Sequence, residues 1–208
     1  MRCRRRLARG RTQAPFLPMS NAPKKGCGAN AWPPASDMLQ HPMGCVEWCD
    51  AFAYCRGVGK RLCGAIGGGA NPLNAWDDPA ASQWFNACSS GGLHNFPYGG
   101  NPEQGEIDGY QPKTCADIES APSGPLPVGT FPGCVSQEKG YEGVHDLSGN
   151  VWEWEDSCTG PTDQFDYCRT RGGAARDDAY RLRCADDTSS IQFRLFAHFG
   201  FGFRCCAP

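Results

Sequence analysis

The chain has 208 residues, 40% of them hydrophobic, and a formal net charge of −2. That length suits one domain with a real core, and the near-neutral charge excludes a broad electrostatic attraction to nucleic acid. The fourteen cysteines are either metal ligands or disulfides; paired Cys-x-x-Cys motifs are missing and the four histidines are scattered, so zinc spacing is absent and disulfides in an oxidising compartment are expected.

Residues 1–40 are rich in Arg, Pro, Ala and Gly without a period, and read as a disordered or loosely attached segment. Six arginines fall by Arg11, yet no apolar run of signal-peptide length follows. Nothing later is long enough to span a membrane. Cysteine content and leader disagree, so the chain reads as a fragment or one with a misassigned start, destined for an extracytoplasmic or secreted location.

From Cys45 to about Val58 the spacing predicts a helix: Trp48, Phe52 and Cys55 recur at helical intervals, as do Val46, Cys49 and Ala53. Gly57 and Gly59 end it, and Asp50 is assigned to its surface. Gly64 to Gly69 lacks the phosphate-loop pattern and reads as a bend. A second helix is predicted over Pro79–Ala87, capped by Asp78. Residues 89–143 are crowded with Gly, Pro, Asn and Ser and predict loop; so long an irregular stretch needs pinning by ions or crosslinks.

Next comes Val144-His145-Asp146-Leu147-Ser148-Gly149-Asn150-Val151-Trp152-Glu153-Trp154. A turn signal lies between two acids, and Trp152 and Trp154 point to one face if the segment is extended. Carboxylates plus loop carbonyls are what a hard cation such as calcium requires, although no EF-hand spacing is present; the competing reading is a turn beside a strand, with surface acids and core tryptophans. From Ile191 to Phe203 every odd position is apolar, which predicts a strand with one buried face and a bend within it. Gly200 and Gly202 fall on its other face, open to a close backbone. His198 reads as a structural, hydrogen-bonded histidine. Ser148 lies outside any nucleophile elbow, and the adjacent acids Asp77–Asp78 and Asp186–Asp187 read as solvated.

The Asp146–Trp154 segment resembles the "G-N-V-W-E-W" signature of the formylglycine-generating enzyme family, also called sulfatase-modifying factor domains. His41-Pro42-Met43 through Trp48, Tyr54-Cys55 and Gly59-Lys60-Arg61-Leu62 resemble its first block. Cys88 with Gly91 to Asn95 and Phe96 to Gly99 resembles the next. Arg171-Gly172-Gly173, Arg181 to Cys184 and Gly202 to Cys205 resemble the closing blocks. The resemblance covers about His41 to Cys206, placing the domain at residues 41–208.

It implies a compact, irregular α+β fold similar to a C-type lectin domain. It implies calcium at Asp146, the carbonyls of Gly149 and Val151, and Glu153, with a second site at Asp117 and the carbonyl of Ile118. It implies disulfides Cys55–Cys205 and Cys88–Cys184, each closing a loop for which chain entropy gives about 4–5 kcal/mol. Proximity alone suggests Cys158–Cys168 and Cys115–Cys134. The family enzymes oxidise a substrate cysteine with oxygen and copper held by two thiolates, soft ligands suited to Cu(I). Those thiolates stand five and ten residues before the cysteine matching Cys184, where this chain has Ala179 and Ala174. Copper is therefore not expected. The expectation is a calcium-stabilised, disulfide-stapled module that binds an extended peptide or a carbohydrate near Trp152 without catalysis. The alternative is a divergent copper oxidase using other thiols, such as Cys168 or Cys206.

Overall fold

The computed structural model describes Cys27 and residues 36–160, 165–186 and 190–208. Helix α1 spans Trp48–Gly57. It starts later than the periodicity predicts because Cys45 has φ 60° and is disulfide-bonded to Cys27; a left-handed residue cannot continue a right-handed helix. The helix stops at Val58, and Gly59 turns away at φ 75°. Asp50 does not lie exposed on the helix surface: it is buried, 1% exposed, although helical phase sets it across the helix from Trp48 and Cys55.

Strand β1 is Arg61–Leu62 and helix α2 is Gln83–Cys88. The second helix begins at Ser82, whose Oγ accepts from Phe85 N, and not at Asp78. Asp78 instead accepts from Ala80 N at 2.8 Å and closes a turn ahead of it. The hydroxyl suits the cap for a second reason: it also donates to the buried Glu155 carboxylate at 2.7 Å. Between residues 89 and 151 the sole helical piece is a 3-10 turn at Pro102–Gln104.

Strands β2 (Trp152–Cys158), β3 (Tyr167–Arg171), β4 (Ile191–Phe193) and β5 (Phe201–Phe203) form one sheet in the order β4-β3-β2-β5. The short helix α3, Ala179–Leu182, lies between β3 and β4 in sequence. β2 pairs antiparallel with β3 and parallel with β5, and β1 pairs antiparallel with β6, Cys205–Cys206. The predicted long terminal strand is thus two short ones on opposite edges of the sheet. Its odd positions share no buried face: Phe193 and Leu195 are exposed while Arg194 is buried. A turn from Phe193 O to Phe196 N breaks the alternation, and the Arg194 guanidinium sits 4.0 Å from the Trp48 ring centroid, where stacking and its pair with Asp166 hold it. Gly202 does admit a close backbone, since a Cβ there would meet Met43 O at 2.7 Å.

The main core joins α1 to β2: Val46, Trp48, Ala51, Cys55, Leu62 and Trp154. Trp154 is fully buried and donates Nε1–H to Val46 O, while Trp48 donates to Glu155 O. Burying a large apolar side chain contributes roughly 2–3 kcal/mol, and satisfying both indole N–H groups keeps that gain intact. With so few regular elements, the disulfides carry much of the constraint, six of them joining pairs of described residues. Cys55–Cys205, Cys63–Cys206 and Cys88–Cys184 tie the closing residues to α1, β1 and α2. Cys115–Cys134, Cys158–Cys168 and Cys27–Cys45 close shorter loops. Cys49 is disulfide-bonded as well, and no free cysteine occurs among the described residues.

Candidate binding pocket

The turn ahead of β2 organises everything around it. Gly149 has φ 75°, and a Cβ there would lie 2.0 Å from Ala116 O, so the close approach of those two backbones requires glycine. Gly149 N donates to Gly172 O at 2.7 Å and Asn150 N to Ala116 O at 3.0 Å. The Asn150 side chain accepts from Leu126 N and donates to Leu126 O, and its own carbonyl accepts from Ala175 N. One asparagine thus clamps the segments at 116, 126 and 175 onto the start of β2.

Those clamped segments wall a cavity of about 160 Å³. Trp152 from β2, Phe201 from β5 and Phe199 supply aromatic surface, with Gly124, Pro125 and Ala174 completing the apolar lining. Trp152 and Phe201 stack at 6.2 Å between centroids. His198, Arg176 and Asp177 are the ionisable groups. His198 Nδ1 accepts from Gly200 N at 3.3 Å, so the ring proton sits on Nε2. Burial and the neighbouring Arg176 push the imidazole pKa down, keeping it neutral. Asp177 accepts from Ala174 N and from Arg181 at 3.0 Å. Arg176 is exposed, with Nε bonded to Pro122 O and its guanidinium 6.0 Å from the Phe199 ring centroid.

The residues expected to hold calcium are brought close together, but their carboxylates are already engaged. Glu153 takes a bidentate pair from Arg204, Nε at 2.5 Å and Nη2 at 2.6 Å, and a third bond from Trp84 Nε1 at 2.8 Å. Arg204 Nη2 also donates to His145 O at 3.0 Å. Asp146 Oδ2 accepts from Gly129 N at 2.8 Å; burial, and secondarily Glu153, raise its pKa despite that bond and Arg204. Gly149 and Val151 are buried on the same segment. Asp117 accepts from Tyr110 OH, Lys113 N, Glu119 N, Ser120 N and Ser120 Oγ, all between 2.7 and 3.0 Å. Burial would raise its pKa, but those donors outweigh it and hold it down. Five donors already exceed the roughly four lone-pair directions of a carboxylate. Ile118 gives its N–H to Asp177 O and exposes its side chain. Among the described residues no third His, Cys, Asp or Glu joins either acid. Glu153 and Asp117 do not fit calcium: a guanidinium at one and five hydrogen-bond donors at the other stand where an ion would need open oxygens.

Each cysteine predicted to pair lies against its partner: Cys55 with Cys205, Cys88 with Cys184, Cys115 with Cys134, Cys158 with Cys168. Cys168 and Cys206, the thiols a divergent oxidase would draw on, are both in disulfides. Ala174 lines the cavity and Ala179 opens α3. Trp152 is the cavity residue the sequence reading assigned to binding, and Ala174 the one it marked as a lost copper position. Asn150 was visible only as a turn residue, and Arg204 only as part of a closing block. No described helix is long and apolar enough to cross a membrane.

A model of the sulfatase-modifying factor enzyme 1-like domain matches residues 19–207. The formylglycine-generating enzyme of Mus musculus is 30% identical over 189 residues, covering 80% of this chain and 44% of the enzyme. The inactive C-alpha-formylglycine-generating enzyme 2 of Bos taurus is 29% identical over 184 residues, covering 82% of this chain and 52% of that protein. The crystal structure of CarF superposes with a TM-score of 0.53 at 20% identity, covering 86% of this chain and 71% of CarF, and shares the fold. The chain spans about half the length of these curated relatives or less.

Proposed function

The chain belongs to the sulfatase-modifying factor enzyme 1-like domain family, and from that premise we propose that it is a non-catalytic, disulfide-stapled binding module of an exported protein. One observation carries the reading. Where the family's enzymes place a copper-binding thiolate, Ala174 presents a methyl group to an aromatic cavity, and every described cysteine is in a disulfide. A methyl can neither ligate Cu(I) nor exchange a disulfide.

The cavity's size supports a peptide side chain as its occupant. Pockets for drug-sized ligands measure roughly 300–1,000 Å³, so about 160 Å³ admits one side chain of a longer partner lying across the surface. The similarity to a protein whose name marks it inactive is consistent with this reading. The disulfide content supports folding in an oxidising compartment. The test is incubation of the purified protein with Cu(I), oxygen and a Cys-x-Pro-x-Arg peptide, with aldehyde as the readout. Background aldehyde is expected; turnover above it refutes the non-catalytic reading.

A further inference from the structure

The cavity combines an apolar lining with polar groups of one kind. Trp152, Phe199, Phe201 and Ala174 offer no strong acceptor. Asp177 carries the acidic carboxylate of the lining, and its oxygens are taken by Ala174 N and the Arg181 guanidinium. It is buried at 8% exposure, and its charge is paired with Arg181. The Asn150 amide is likewise consumed at both ends by Leu126. What remains are donors. His198 accepts at Nδ1 and is left with an Nε2–H. Arg176 spends Nε on Pro122 O, and among the described residues its Nη groups make no bond to the protein. Stacking on Phe199 and the Pro122 bond hold that guanidinium at the rim with its charge unpaired.

An apolar hole whose unpaired polar groups are the Arg176 guanidinium and the His198 Nε2–H selects an apolar group with an anionic acceptor beside it. We propose that this cavity captures the C-terminal residue of a peptide, an apolar side chain of about leucine size packing against Trp152 and Phe201 while the free carboxylate meets Arg176 and His198. Side chain and carboxylate on one Cα match a cavity too small for two residues, and a planar guanidinium can hold a carboxylate through two parallel bonds. The inference rests on the binding-module reading given above and narrows its ligand.

Calorimetry with N-acetyl-leucine and N-acetyl-leucinamide tests it, because the two probes differ in charge and in little else. The acid is expected to bind about tenfold tighter than the amide, the scale of one charge-assisted hydrogen bond. Arg176→Met is expected to abolish that preference while amide binding persists. Ala174→Leu, which fills the cavity, is expected to remove both. A blocked peptide with an internal leucine is expected to bind no better than the amide. Amide bound as tightly as acid, or preference surviving in Arg176→Met, overturns the ligand class and leaves the binding module standing. Failure of both probes to bind overturns the pocket as well.

Discussion

Replacing Arg204 by methionine removes the guanidinium and keeps the apolar stem. It leaves Glu153, whose side chain is 7% exposed, with only the Trp84 donor. Breaking one half of a buried ion pair costs about 3–5 kcal/mol. Arg204 is 23% exposed, which moves the value toward the lower end, near ~3 kcal/mol. For a domain of this length each kcal/mol shifts the melting temperature by about 2–4 °C, so a drop of roughly 6–12 °C is expected by scanning calorimetry without reductant. The same scan of the unaltered protein in excess chelator is expected to be unchanged, because the loop's charge is balanced from within. Calcium bound at a thousandfold over its dissociation constant would stabilise by about 4 kcal/mol. A melt raised by calcium, or one unmoved in Arg204→Met, refutes the reasoning. In Glu153→Gln/Arg204→Met most of the loss should return, since no charge is then left unpaired.

Asp156 on β2 has its pKa pushed up to about 6, chiefly by burial, with Glu155 adding repulsion and Arg194 and Arg61 opposing. The folded state therefore holds this proton more tightly than the unfolded chain. The group's contribution is most favourable below about pH 4 and fades as pH rises through 6. At about 1.4 kcal/mol per pKa unit the ceiling is ~3 kcal/mol, and partial solvent access reduces it to about 1–2 kcal/mol. Asp156→Asn should flatten the stability profile between pH 4 and 6 in urea denaturation; an unchanged slope argues against it. Ser82→Ala deletes the α2 cap and one donor to Glu155, leaving Asn71 at 3.2 Å and the buried Arg171 guanidinium at 3.4 Å. A loss of about 2–4 kcal/mol in urea is expected, and under 0.5 kcal/mol would show that Glu155 finds another partner.

Local signals in the chain pointed to particular parts of this architecture. The Gly149-Asn150 turn was legible because only certain residues take positive φ cheaply. Proximity picked out Cys115–Cys134 and Cys158–Cys168, and block order picked out Cys55–Cys205 and Cys88–Cys184. What stayed hidden depends on partners far away in sequence. Asp50 reads as a surface residue from helical phase, but the site is covered. Ser82 outcompetes Asp78 as a cap because Glu155, 73 residues on, needs its hydroxyl. The even spacing of phenylalanines near the end looked like one strand, and Arg194 stacked on Trp48 defeats it. At the calcium loop, acids and carbonyls were all in place by type. The guanidinium that pairs with Glu153 comes from 51 residues further along, which no local pattern announces. The cavity was marked for binding only by Trp152, since its walls come from segments near 125, 175 and 200 that the fold brings together.

The adjacent cysteines of β6 have a consequence for how such a chain is made. Cys205 reaches back to Cys55 and Cys206 to Cys63, spans of 150 and 143 residues, and β5, which completes the sheet beside β2, immediately precedes them. During synthesis α1 and β1 emerge long before their covalent partners, so these two bonds cannot form until Cys205 and Cys206 have left the ribosome. Until then early thiols stand exposed beside one another and are open to mispairing. Correct assembly of this domain should accordingly depend on a catalyst of disulfide exchange acting once Cys206 has been made.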